Sequence, residues 1–363
     1  MLKIMMWKLL IFTFIYGPFA HAFPDMIRHG YARCTTCHVA PSGGGALTPY
    51  GRALAKELVS TWGYEGEQEW HYGALSEEKT PTWLRVGGDY RALQSHYKDE
   101  IMAMGRFIEM QQQVEIGAQT DRWALSVQAG ADTLQEGSRW YLPGYYLAVN
   151  LWEKLNVRVG KFIPRFGLRM PDHILSSRAG IGFGIQAERH TAEMIYTEEK
   201  FDVSLSVSQG ELENGNPADA AFGQFNYLFT EKLQLGVSLG RHFKAQNNTM
   251  LGLSAMVGLS EYMYLLSDNV FQRRDVFGSS QNDFYHFLKL GYEIEKGVHV
   301  FILEDLRKQD LSADATTQNF YGLGFTFFPR PHIEIQGVWA KQNVLSRNVK
   351  NADYAWLLMH YYL

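Results

Sequence analysis

From residue 82 to the last residue the chain keeps one texture, in which segments of about ten residues alternate apolar with polar or small side chains and turn-forming residues separate them. A period of two is the mark of a β-strand with one apolar face. Sixteen segments can be delimited, the first at 82–95 and the last at 353–363. Seven of the connections are very short ("TDR", "EK", "EEK", "TEK", "SE", "EKG", "PRP"), and they alternate with eight longer ones, including "PRFGLRMPDHILSSRAGIGFGI" and "ELENGNPAD".

That rhythm constrains the fold more than any other feature. Short turns at one end and longer loops at the other are what a transmembrane antiparallel β-barrel of about 16 strands shows. The apolar sets Val157 and Val159, Leu233, Leu235 and Val237, and Ile333 and Ile335 are expected to face lipid. Arg85, Arg91, Glu109 and Glu115 are expected to face the lumen, and Trp83, Trp123, Trp152, Phe328 and Tyr362 to mark strand ends as interfacial aromatics. Because the first and last connections are both long, closure places the two ends of the strand region at the short-turn end. The competing architecture is an exported β-sandwich or propeller, whose strands alternate equally well.

Residues 1–22, "MLKIMMWKLLIFTFIYGPFAHA", read as a secretory signal, with Lys3 and Lys8 before an apolar stretch at 9–19 and Ala20, His21 and Ala22 as the cleavage site. The stretch is too short to span a bilayer, which takes about 20 residues. Loss of Lys3 and Lys8 with the leader changes the formal charge from −4 to −6. An acidic chain argues against a nucleic-acid partner.

Between the leader and the strands, residues 23–81 form a different unit. "LTPYGRALAKELVSTWG" is its one good helix candidate, with Thr48 as cap and Pro49 in the first turn. Upstream stands Cys34-Thr35-Thr36-Cys37-His38, which uses both cysteines of the chain. C-x-x-C-H is the attachment signature of c-type haem. Two thiols at this spacing form thioethers to one porphyrin edge, and the adjacent histidine becomes an axial ligand of the iron. A thioredoxin-like dithiol would need a βαβ setting, and structural zinc would need further ligands. A plain disulfide is the remaining alternative. The cofactor expected is one covalent haem c, bound by Cys34, Cys37 and His38. No methionine lies between Val39 and Pro81. The sixth-ligand candidates are therefore His71, His29 and Met26, with His96, Met102 and Met104 on the strand region and five-coordinate iron as the alternative.

A signal, one C-x-x-C-H followed by "VAPSGGGALTPYGRALA", and a porin-like strand region together resemble the fused outer-membrane monohaem cytochrome-porins, the family of the outer-membrane iron-oxidising cytochromes. Pro41 and Tyr50, Gly51 and Arg52 are similar to that family's short proline and aromatic-Gly-Arg stretch behind the haem motif. The sequence likeness covers only 23–56, and "FPDMIRHGYAR" departs from it, so Fe(II) as substrate is not carried over with the haem. The stretch "VRVGKFIPRFGLRMPDH" also resembles strand-and-loop segments of general and anion-selective porins, whose pores arginines such as Arg158, Arg165 and Arg169 would line.

The division expected is a signal at 1–22, a monohaem segment at 23–81 and an outer-membrane barrel at 82–363, with the haem segment at the periplasmic side or inside the lumen as a plug. The leading functional expectation is an electron conduit between an extracellular donor or acceptor, Fe(II) among the candidates, and a periplasmic cytochrome or other soluble carrier. The alternatives are a diffusion porin in which the haem segment is a gate or redox sensor, and a haem redox enzyme. Outer-membrane lipid is the remaining partner. No nucleophile triad or catalytic carboxylate pair stands out.

Overall fold

The computed structural model describes residues 24–67, 69, 80–132, 139–170, 175–184, 187–211, 218–243, 248–276 and 278–363. The leader and His71 lie outside these residues. All strands belong to one antiparallel sheet. In order they are β1 (Leu84–Lys98), β2 (Ala103–Gln119), β3 (Trp123–Asp132), β4 (Arg139–Tyr141), β5 (Tyr145–Trp152), β6 (Leu155–Phe162), β7 (Arg189–Thr197), β8 (Phe201–Gln209) and β9 (Ala220–Thr230). Then follow β10 (Leu233–His242), β11 (Asn248–Gly258), β12 (Met263–Val276), β13 (Ser279–Glu295), β14 (Val298–Lys308), β15 (Thr317–Phe327), β16 (Ile333–Val344) and β17 (Val349–Tyr362).

Each strand pairs with its chain neighbours, and β1 pairs with β17 from Asp89 opposite Tyr362 to Lys98 opposite Asp353. The sheet therefore closes on itself, which excludes a sandwich. Strands β4 and β5 both pair with β3, at Gly130 to Asp132 and at Trp123 to Val127 respectively. They are two pieces of one stave, so the barrel has sixteen staves built from seventeen strands. Both ends of the strand region lie at the short-turn end, where Leu363 N donates to Gly88 O at 2.9 Å.

The alternation sorts as expected along most strands. Val159, Leu235 and Val237 are 56%, 42% and 43% exposed, while their neighbours Arg158 and Gln234 are buried inside. Glu334 and Gln336 likewise face inward between Ile333 and Ile335. Trp83, Trp123 and Trp152 are exposed at the short-turn end. Phe328 and Tyr362 also stand at strand ends, but both are buried. Phe328 packs on Met26 and Val59, and Tyr362 lies against His332 and His360.

Glu109 corrects the expectation of a lumen-facing side chain. Arg85, Arg91 and Glu115 keep the inner face, but the β1–β2 register slips between Arg91 and Ala92, so that Met110 is skipped and Glu109 stands opposite Ala92. A bulge of one residue moves every following side chain to the other face. Beyond it Phe107 is exposed, whereas before it Val114 and Ile116 are. Glu109 therefore projects outward, where Gln112 Nε2 donates to it at 3.2 Å.

The lumen is occupied from both ends. From the long-loop end the connection between β6 and β7 folds inward, burying Phe166, Ile181 and Phe183 against Phe222, Met250, Val270 and Tyr285. Its next residues, Leu168, Met170 and Leu175, pack on Met256, Leu266 and Phe287. Ser176 N donates to Asp305 at 2.9 Å and Tyr285 Oη to Gly180 O at 3.2 Å, which pins the loop to the wall. From the short-turn end the N-terminal segment enters. Arg28 pairs with Glu293 at 3.1 Å, Arg33 donates to Glu199 O at 2.7 Å, and Thr61 Oγ1 donates to Lys296 O at 2.8 Å. Deeper in, Ala46 N donates to Glu115 Oε2 at 2.8 Å.

Candidate cofactor site

The motif residues are set by two local devices. Residues Cys34–Thr36 form a 3₁₀ turn, with Cys37 N donating to Cys34 O at 3.2 Å. In that turn side chains three apart are eclipsed, so Cys34 and Cys37 share one face, as attachment to a single ring edge requires. Behind it, Thr48 caps the helix Pro49–Leu54 by accepting from Gly51 N at 3.1 Å, and Pro49 fills the first turn. The helix candidate is thus correct in start and cap, although its continuation, Ala55–Val59, winds as a π-helix.

Gly51 explains the stretch Tyr50, Gly51 and Arg52. A Cβ at Gly51 would lie 2.8 Å from Cys37 Cα and closer still to Cys37 O, so the helix backbone rests directly on the motif. Arg52 is buried and donates from Nη1 to Leu47 O at 3.2 Å; Tyr50 Oη meets Tyr31 Oη at 3.2 Å. The other device is the turn Gly43, Gly44 and Gly45, whose φ angles are +78°, +76° and +68°. Three consecutive left-handed residues are accessible only to glycine at low cost. The turn threads between Cys34 Sγ, Arg169 and Glu115, each of which a Cβ there would meet.

His38 is half-buried in the segment, and Nδ1 is without a hydrogen-bond partner. Burial, reinforced by the nearby Arg169 charge, pushes its pKa down to about 4. The ring is therefore neutral at ordinary pH, the form that ligates a metal. Burial raises the Cys34 thiol above its usual value.

Two cavities flank the motif. Cys34 opens on one, His38 on the other, and Thr35, Pro41, Ile195 and Thr197 line both. A neutral imidazole and the Cys34 thiol, each bordering one of two adjoining spaces, are consistent with a covalently held porphyrin. Cys37 is 2% exposed, beneath the helix.

The sixth-ligand candidates separate. Met26 is buried with Val59 and Phe328, and neither it nor the half-buried His29 lines either cavity. His96 is exposed, opposite Ala355 and Gly105 on the outer face. Met102 is 47% exposed in a turn, and Met104 pairs with Tyr97 at the long-loop end. His71 lies outside the described residues. The side chain of ligand type that does line the cavity beside Cys34 is Met256, inward on β11 and 7% exposed. Sequence reading misses it because only closure of the barrel brings β11 to the motif. Its inward register in an alternating strand is the available signal. Among the described residues no cluster of three or more His, Cys, Asp or Glu forms a metal site of protein ligands alone.

No family model matches the chain, and no curated protein does. Solved structures do. OmpT, an outer membrane protein of Vibrio cholerae folded in vitro, is similar with a TM-score of 0.60 at 12% identity, over 79% of this chain and 100% of that one. An anion-selective porin from Comamonas acidovorans gives 0.59 at 10% identity, over 77% and 99%. The outer membrane channel DcaP of Acinetobacter baumannii gives 0.54 at 11%, over 80% and 100%. At these identities the likeness is one of fold, a porin-type barrel.

Proposed function

We propose that this chain is an outer-membrane barrel whose lumen holds one c-type haem and passes electrons between the two sides, in the manner of the monohaem cytochrome-porins. The observation that carries the reading is the position of C-x-x-C-H. The motif lies just inside the short-turn mouth of the closed sheet, where Arg33 donates to the Glu199 carbonyl and His38 shares a cavity with Thr120 and Lys154, on a segment tied to the wall at Glu293 and Glu115. The insulating band of such a barrel is about 25 Å tall, and a redox centre below it would serve one side alone.

A bound haem would supply one-electron chemistry. The chain's own residues do the rest. Cys34 and Cys37 would hold the ring by covalent bonds, and His38 would ligate through a neutral imidazole. The Gly43 to Gly45 turn and the helix Pro49–Leu54 fix that imidazole, and the inward-folded loop closes over it from the other end. The short turns form the periplasmic rim, where a soluble carrier would dock.

The structural neighbours favour a second reading. They are porins and channels, so a diffusion pore in which the segment acts as gate or redox sensor is the alternative. One experiment divides the two. Haem-loaded protein in sealed liposomes with an internal redox dye receives an impermeant reductant or Fe(II) outside, and ion leakage is recorded in parallel. The conduit predicts that the dye responds, that His38→Ala abolishes the response, and that leakage stays low. Haem reduction with a silent dye, together with conductance that follows the redox state, would establish the gated pore instead.

A further inference from the structure

The cavity beside Cys34 is lined by four arginines, Arg33, Arg165, Arg169 and Arg178, against one carboxylate, Asp202. Three of the four are engaged. Arg165 pairs with Asp202 at 2.7 Å. Arg178 donates to Phe166 O at 2.6 Å and lies 4.0 Å from Asp268. Arg33 donates to the carbonyls of Glu198 and Glu199. Arg169 differs. Its Nη1 donates to Ser42 Oγ at 2.8 Å, and among the described residues no carboxylate stands within ion-pair distance of it.

The same Ser42 hydroxyl is shared with Arg158, whose Nη1 and Nη2 both reach it at 3.2 Å and which is already paired with Glu193 at 2.6 Å. Two guanidinium groups thus converge on one uncharged acceptor. Glu193 offsets the charge of Arg158, which leaves Arg169 as the guanidinium of the pair without a carboxylate in ion-pair contact, and the planar fork of arginine is shaped to take a carboxylate through two parallel bonds. The position is fixed from both sides. A Cβ at Gly44 would lie 3.0 Å from Arg169 Nη2, and one at Gly43 would lie 3.0 Å from Cys34 Sγ. The flanking Leu168 and Met170 are buried, so the loop backbone is anchored while the Arg169 side chain stays exposed to the lumen.

We infer that Arg169 is the docking point for a carboxylate in this cavity and, resting on the haem reading above, that the carboxylate is a propionate of the haem. The same chemistry has a second source, a free carboxylate solute drawn into the lumen. A paired propionate places less negative charge beside the iron. Loss of the guanidinium therefore shifts the iron toward its ferric state.

The test uses the full-length protein with Arg169→Gln and Arg169→Lys, and measures covalent haem per chain and the midpoint potential. The expected result is unchanged haem content, with a potential lower by about tenfold in the one-electron equilibrium, or 59 mV, in Arg169→Gln and partial recovery in Arg169→Lys. A second arm measures the reversal potential in an acetate gradient for the Cys34→Ser, Cys37→Ser chain, with and without Arg169→Gln. Unchanged potential together with lost acetate preference overturns the propionate and assigns the site to a free solute. No effect in either arm overturns the inference altogether. Absence of covalent haem from the unaltered protein defeats the haem reading, and the acetate arm then decides the role of Arg169 alone.

Discussion

At the scale of the residue, the motif depends on glycines more than on the cysteines' own surroundings. Gly51 lets a helix lie on the Cys37 backbone, and no rotamer change can relieve a Cβ that meets Cys37 Cα and O. Gly51→Ala is expected to cost roughly 1–3 kcal/mol, the usual range for overpacking. The measurement is thermal unfolding of the segment followed by protease access at residues 24–67, and a variant as resistant as the parent would show that the helix can shift. C-x-x-C-H and the stretch behind it are legible in the sequence because their chemistry is local. Why Gly51 must be glycine is not, since the contact runs between two turns fourteen residues apart.

At the scale of the element, the connection between β6 and β7 was legible only as a long loop with arginines. Its inward fold comes from its apolar residues, Phe166, Leu168, Met170, Ile181 and Phe183, which have no other surface to cover. Phe166 stacks on Phe183 with centroids 5.3 Å apart and packs edge-on against Phe222. Phe166→Ala is expected to remove about 3–5 kcal/mol of packing, loosening the loop. Single-channel recordings in planar bilayers should then show raised conductance, and unaltered conductance would mean that this loop does not obstruct the pore. Glu109 shows where period-two reading fails. Alternation carries no sign of a bulge, so every assignment beyond Met110 on β2 is inverted until the pairing is known.

At the scale of the whole molecule, the segment is fastened to the wall by Arg28, which is 1% exposed between Asp25 at 3.0 Å and Glu293 at 3.1 Å. Removing one member of a buried ionic cluster costs about 3–5 kcal/mol, because the others stay buried without a counter-charge. Arg28→Ala should therefore release the segment, and hydrogen exchange at Ile27 to Tyr31 should accelerate accordingly; exchange at the parental rate would show that Arg28 is no anchor. Burial alone would raise the Asp25 carboxyl, but Arg28 and its neighbours outweigh it and hold the group below its ordinary 3.8. Its contribution is therefore complete above that value and is lost as pH falls below it. The sequence by itself determined the barrel, its sixteen staves, which turns are short and which long, and the C-x-x-C-H motif, because period, turn length and motif are written in neighbouring residues. Only the tertiary structure decided that the N-terminal segment and the β6–β7 loop meet inside the lumen, and that Met256 and Arg169 stand beside Cys34. Those contacts join residues far apart in the chain, Arg169 and the N-terminal segment entering from opposite ends of the barrel, and they exist only once closure has brought the inner faces of the strands around a common space.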